Sequence, residues 1–414
     1  MTLAIIAPIT VSKHPNADRL QLGSVFGSQV VVGMDVKSGD VGIFFQEGLQ
    51  LSDEYAKAND LVRRKDADGN AAGGFFEENR RVRCQKFRGT KSEGYWAPLD
   101  SLSFASGWER LKVGDRLESM GKTPICNKYV TPATAYARAG KGVSVSRRET
   151  QMFKAHFDTD QLRFNTRNIK AGNKVYVTLK MHGTSQRTGR VLEPVEQVWW
   201  KKWLKFKPKY EWTYLTGSRN VIMGRGTGTP YHSDEFRKKA ADQFIGKLHK
   251  GETVFYEVVG YEGTGKPIMG IHTPKGDVVK EYGKEPFVYS YGCPEGKHEA
   301  YVYRITMTNE DGISFDLPWP AVQRRCLELE VSYVRQLDEF TANGHADDLM
   351  ARIEQFVEGR DPIGMVHPRE GVCVRVEGNG ESKAQVFKHK SFTFGFLEGY
   401  IKEKADYVDM EESS

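Results

Sequence analysis

Cysteine is sparse in this chain. Five occur in 414 residues, at positions 84, 126, 293, 326 and 373, an odd number with no CxxC pair. That pattern argues against a thiolate zinc site and for a reducing compartment. Long apolar runs are also missing: none approaches the ~18 residues of a membrane span. Basic residues are absent ahead of the short apolar segment Met-Thr-Leu-Ala-Ile-Ile-Ala-Pro-Ile-Thr, which reads as a first strand and not as a secretory signal. The expectation is a cytoplasmic or nucleoplasmic protein with no membrane partner, not secreted. No internal repeat is visible. Acidic residues are missing from one stretch in particular. Arg81, Arg83, Lys86, Arg88 and Lys91 follow one another over eleven residues with no Asp or Glu between them.

What is present is an ordinary globular composition, 39% hydrophobic and 28% charged with net charge +6. The length suits two or three domains. Residues 1–128 are rich in Val, Ile, Phe and Gly with frequent turn signals. Ser-Gln-Val-Val-Val-Gly, Asp-Val-Gly-Ile-Phe-Phe and Arg-Val-Arg-Cys-Gln-Lys-Phe-Arg-Gly read as strands of a small β-barrel. The segment His14-Pro-Asn-Ala-Asp-Arg-Leu-Gln-Leu resembles the matching part of tRNA-binding OB domains. Residues 129–150 read as a linker of Ala, Gly, Ser, Thr and Arg, and 401–414 as an acidic, frayed tail. Between them, 151–400 mixes strands with helices. Ser233 is placed to cap a helix carrying Phe236, Ala240, Phe244 and Leu248 at spacing four. Pro320 opens a helix over 320–331. Residues 347–357 form a third, with Leu349, Ile353, Phe356 and Val357 on one face. From Trp199 to Tyr210 five lysines interleave with aromatics. That stretch either lies along nucleic acid, lysines on phosphates and tryptophans stacking, or packs on its own domain.

The chemistry concentrates around Lys180. The alternating, β-branched Val-Tyr-Val-Thr-Leu ahead of it reads as a strand. Lys180 then stands at the strand end, in Lys-Met-His-Gly-Thr-Ser, before a glycine turn. A lysine with pKa about 10.4 is a poor nucleophile at neutral pH, and nearby positive charge frees its lone pair. Phe-Lys388-His-Lys390-Ser supplies such charge, because alternate strand residues share a face. Further motifs fall between these two in order: Ser-Arg219-Asn, Val-Phe-Tyr-Glu257-Val-Val-Gly, Tyr-Val-Tyr303-Arg-Ile and Glu370-Gly-Val-Cys-Val-Arg.

This ordered set, covering roughly 170–395, resembles the covalent nucleotidyltransferase superfamily of ligases and capping enzymes. Within it the chain resembles ATP-dependent RNA ligases that carry an N-terminal OB-type domain. The resemblance implies an α+β fold: a nucleotidyltransferase domain of antiparallel sheets and helices, preceded by a small OB-type β-barrel. It implies ATP as AMP donor and Mg²⁺ or Mn²⁺ as metal. By the same resemblance Lys180 is the nucleophile that takes AMP, Ser185 contacts the ribose, and Arg219 meets the ribose or the incoming phosphate. Glu257 accepts from the ribose hydroxyls, with Glu262 a neighbour, and Tyr303 stacks on adenine. Glu370 orients a hydrated metal ion, and Lys388 and Lys390 bind the α-phosphate. His182 stands where many DNA ligases have aspartate, a departure that favours RNA. It reads as a hydrogen-bonding group, not as a metal ligand. The basic residues 81, 83, 86, 88 and 91 suit phosphate contact.

Layout separates the activities. DNA ligases and capping enzymes mostly carry an OB domain after the last lysine motif, and only 24 residues follow Lys390. The resulting expectation is a monomeric RNA ligase joining 3′-OH and 5′-phosphate ends at nicks in duplex RNA or RNA/DNA. A DNA ligase or capping-type enzyme is the alternative, and a non-catalytic RNA-binding protein the second.

Overall fold

The computed structural model describes residues 3–65, 71–130, 149–157, 159–195, 209–219, 221–223, 234–274, 276, 278–378, 380 and 384–401. Most of the expected linker, the Trp199–Pro208 part of the basic aromatic stretch, Ser233 and the tail after residue 401 lie outside the described residues.

The chain divides into two compact units. The first holds short antiparallel strands. Ala4–Pro8 pairs with Val41–Gln46 on one side and Arg116–Leu117 on the other, and Gly94–Pro98 completes the order on Val41–Gln46. Leu20–Val25 lies between Thr10–Lys13 and Ser28–Gly33 in a second sheet. Alternation along the first sheet separates two cores. Ala4, Ile6, Ile43, Phe45 and Ala97 enter one cluster with Leu49, Leu51 and Tyr55. Ile5, Ala7, Phe44 and Trp96 enter the other with Val30 and Val32. Both faces of that sheet are therefore covered, which is why its strands read as continuous apolar runs. Two of the three expected strands form, as Ser28–Gly33 and Val41–Gln46. The third is shorter than its sequence suggested: only Gln85–Phe87 is strand, hairpinned to Thr90–Ser92. Residues 80 and 82 instead exchange irregular backbone hydrogen bonds with 48–51.

Two later segments belong to this first unit, so the second domain is not the continuous 151–400 that the sequence suggested. Residues 160–166 and the helix Phe392–Ile401 group with it. Phe164 meets Phe26 and Phe44 edge-on at 5.5 and 6.2 Å, and Arg163 pairs with Glu93 at 3.4 Å. Lys86 and Lys91 lie over the rings of Phe396 and Phe392. An apolar pattern shows that these residues are buried; it cannot show against which unit.

The second unit is built on two antiparallel sheets. In one, Gln385–Lys390, Gly371–Glu377, Lys174–Leu179 and Gln336–Thr341 lie in that order. In the other the order is Tyr210–Ser218, Thr184–Pro194, Glu252–Gly263, His298–Thr308 and Ser314–Asp316. The helices follow the apolar periodicity. Trp319–Leu329 has Pro320 in its first turn and stops at Glu330, whose φ of 57° is left-handed. Ala346–Glu354 buries Leu349 and Ile353. Asp234–Asp242 is shorter than expected. Phe244 and Leu248 are buried as their spacing required, but from turns beyond the helix end, where Gly246 takes a φ of 84°. Among the described residues no helix is long and apolar enough to cross a membrane.

Candidate active site

Lys180 directly follows the strand Lys174–Leu179, and its amide donates to the Gly371 carbonyl at 3.0 Å. The chain then turns through Gly183 into Thr184–Pro194, crossing from one sheet to the other. Glycine is needed at 183 because a Cβ there would stand 2.4 Å from the Val258 carbonyl oxygen. Gly183→Ala is expected to lower stability by about 1–3 kcal/mol through overpacking, read as a drop in the denaturant midpoint. A midpoint equal to that of the parent chain would show that the neighbouring strand yields without cost.

The turn places Lys180 at a cavity whose wall also includes Ser185, Arg219, Glu257, Tyr303, Lys388 and Lys390. Seven residues named from the sequence, on or directly after six strands, thus meet in one place. Lys388 and Lys390 alternate on Gln385–Lys390 and face the cavity. His389 between them points away and pairs with Glu354 at 2.9 Å. Ser185 and Glu257 are cross-strand partners. Tyr303 is aimed by an irregularity: Phe255 pairs with Arg304 but Tyr256 with Val302, which leaves Tyr303 as the extra residue of a bulge. Its hydroxyl lies 2.8 Å from that of Ser185. Burial, with the charge of Glu257 added, pushes that hydroxyl well above the usual phenol range.

Glu370 is placed differently from the other seven. It is fully buried and absent from the cavity wall, lying behind the lysines. Its carboxylate holds Lys180 Nζ at 2.6 Å and Lys390 Nζ at 3.2 Å. A carboxylate removed from water is costly unless paired, and these two ammonium groups offset its charge, which draws both lysines to one point. His182 is buried beside it, with Nδ1 3.6 Å from Glu370 and its ring edge-on to Tyr289 at 4.6 Å. Glu262 pairs with Lys266 at 2.6 Å and does not line the cavity.

Sequence reasoning missed part of the wall. Cys373 and Arg375 line it too, at positions of Gly371–Glu377 two apart, so the period of two already contained them. Arg375 is held by Glu377 at 2.7 Å. Burial pushes the Cys373 thiol up to about 11, so it stays protonated near neutral pH. Trp319, Arg304, His156 and Phe157 also line the wall. The Arg304 guanidinium lies over Phe157 and Phe255 at 4.5 and 4.6 Å and pairs with Asp316. Nothing in the local pattern marks His156 or Phe157, which reach the cavity from outside any strand or helix. Among the described residues no group of three or more His, Cys, Asp or Glu could hold a metal ion.

The basic run of the first unit is mostly engaged within that unit. Arg81 is only 7% exposed and lies over the Tyr129 ring at 4.9 Å. Arg83 pairs with Glu77 at 2.9 Å and Lys91 with Glu93 at 3.5 Å. Arg88, at the tip of the hairpin with a φ of 50°, is exposed. His14 is buried and structural: Nδ1 accepts the Asn16 amide, and Nε2 lies 3.2 Å from the Phe87 carbonyl.

No family model matches the chain, and no curated protein sequence does. Solved structures do match. A Naegleria gruberi RNA ligase variant with ATP and Mn superposes with TM-score 0.61 at 17% identity, over 96% of this chain and 99% of that one. A variant of the same ligase with AMP and Mn gives 0.59 at 17%, over 98% and 100%. The ligase with PPi gives 0.59 at 16%, over 98% and 100%. The chain therefore shares the fold of these RNA ligases over nearly its entire length.

Proposed function

We propose that this chain is an ATP-dependent RNA ligase that joins 3′-OH and 5′-phosphate ends through a lysyl-AMP intermediate. The observation that carries this reading is the convergence of Lys180, Lys388 and Lys390 at one cavity, with Glu370 pairing Lys180 and Lys390 from behind it and with Glu257, Tyr303, Ser185 and Arg219 in the same wall. The likeness to RNA ligase structures with ATP, AMP and Mn supports it.

In the first step Lys180 Nζ releases a proton to solvent and attacks the α-phosphorus of ATP. An N–P bond forms, the bond from that phosphorus to the bridging oxygen breaks, and pyrophosphate leaves. Lys388 and Lys390 stand on one strand face where charge develops on the α-phosphate. Glu257, at the level of Ser185, accepts from the ribose hydroxyls, and Tyr303 meets the base. A 5′-phosphate then takes AMP from Lys180, and a 3′-hydroxyl finally displaces AMP from that end. Each displacement is governed by alignment and charge neutralisation, which fixed side chains supply. The donor set fits a hydrated Mg²⁺ or Mn²⁺ that takes ligands from phosphates and water, with one carboxylate acting through water. The resemblance gives that part to Glu370, which is fully buried behind Lys180 and Lys390 and would act on such an ion only through water. The metal would neutralise phosphate charge.

On this reading the first unit is an OB-type domain that grips nucleic acid. Arg88 is the member of the basic run best placed for phosphate contact, and Arg81 serves packing. The natural substrate class we assign is a nicked duplex with RNA at the 3′-OH side. At such a nick the protein is expected to seal RNA-3′-OH ends and to tolerate DNA on the 5′-phosphate side. A nick series with RNA or DNA on each side, supplied with ATP or GTP, tests this. Equal sealing of an all-DNA nick would move the protein to the DNA ligases, and a covalent GMP adduct to the capping enzymes.

A further inference from the structure

The turn that carries Lys180 is held at a second point by a residue far away in sequence. The His182 amide donates to the Tyr291 hydroxyl oxygen at 2.7 Å. With the Lys180 amide on the Gly371 carbonyl, both ends of Lys180–His182 are fixed.

Tyr291 is an unusual residue for its own backbone. It has a φ of 52°, Gly292 follows at 84°, and the Cys293 amide donates to the Ser290 carbonyl at 2.9 Å. This is the pattern of a type I′ turn, whose first central position favours Asn, Asp or Gly. A bulky side chain with positive φ is strained, and such strain persists only where the surroundings enforce it. Here they do. Gly364 packs so tightly on the turn that a Cβ at 364 would stand 2.4 Å from the Gly292 nitrogen. The Tyr291 ring is 3% exposed and meets His367 edge-on at 4.5 Å.

The turn by itself calls for Asn or Gly, and the ring packing would accept Phe. Only the hydroxyl calls for tyrosine, and it accepts from the His182 amide, two residues after the proposed nucleophile. We propose that Tyr291 is a positioning residue for Lys180: its hydroxyl fixes the Lys180–Gly183 turn so that Nζ reaches the α-phosphorus from a single geometry. The inference rests on the ligase reading above. A bond from a rigid turn to the nucleophile's backbone acts on alignment in the first displacement, not on the cavity wall, which Tyr291 does not line. It should change the rate of AMP transfer to Lys180 and leave ATP binding alone.

The test is Tyr291→Phe in the full chain, which deletes one oxygen and keeps the ring. Single-turnover formation of the AMP adduct is measured across an ATP series with Mg²⁺, and ATP affinity separately by titration calorimetry with Ca²⁺ in place of Mg²⁺. The expected result is a maximal rate about tenfold lower, with half-saturation and affinity within twofold of the parent chain. A parent-like maximal rate would overturn the inference, because the hydroxyl would then have no part in alignment. Loss of ATP affinity together with the rate would also overturn it, since Tyr291 would then only support the folded pocket. If the parent chain forms no adduct, the ligase reading fails and the inference falls with it.

Discussion

Lys180→Ala is expected to form no covalent AMP adduct on incubation with ATP and Mg²⁺, where the parent chain takes up one AMP. The loss is complete because no other lysine among the described residues takes its place at the cavity. Lys388 faces the cavity from Gln385–Lys390, with Gly371–Glu377 between it and the strand that ends at Lys180, and Lys390 is drawn to Glu370, so neither holds the strand-end geometry of Lys180. The side chain is only 16% exposed and pairs with a fully buried carboxylate, so the substitution does more than trim a surface. Glu370 retains Lys390, and the fold is expected to survive with a stability loss of about 1–3 kcal/mol. Intact mass spectrometry and a denaturation curve check both parts. An adduct of unchanged yield in Lys180→Ala, or one that maps to a different lysine in the parent chain, would remove Lys180 from the nucleophile's role.

Lys388→Ala and Lys390→Ala are each expected to slow adenylylation by about 10²- to 10³-fold, the usual cost of losing one preorganised charge stabiliser. The two should differ in stability. Lys390 also pairs with Glu370, so its removal leaves that carboxylate with one fewer partner, whereas Lys388 stands across from Cys373 on the cavity side. Lys390→Ala should therefore melt below Lys388→Ala while the rate losses remain of similar size. Single-turnover rates with α-labelled ATP, beside thermal melts, separate charge stabilisation from structural support. Near-parent rates in both variants would mean that these lysines do not meet the α-phosphate.

The strand ending at Lys180, the period-two pair Lys388 and Lys390, and the helix opened by Pro320 were legible because each depends on local rules of alternation and capping. The motif order told which residues would assemble, and seven of them line one cavity. Local rules failed where the backbone departs from regularity. The short strand at 85–87 and the early end of the helix at Asp242 are cases of this kind, the first set by pairing with 48–51 and the second marked by tighter turns in which the Phe244 and Ile245 amides bond three residues back.

The sequence alone determined the identities that the proposed chemistry needs: a lysine before a glycine, a carboxylate within an apolar strand, and alternate lysines on a last strand. Tertiary structure decided what those groups meet. It placed Glu370 behind the lysines instead of on the cavity wall, and it buried Arg81 beneath Tyr129 instead of leaving it for phosphate. It brought Tyr291 to the His182 amide across more than a hundred residues. The reason is physical. Periodicity reports which side of an element is covered, since burial follows the 2.0 and 3.6 residue repeats. The identity of the covering partner is set by long-range packing, which no window of sequence contains.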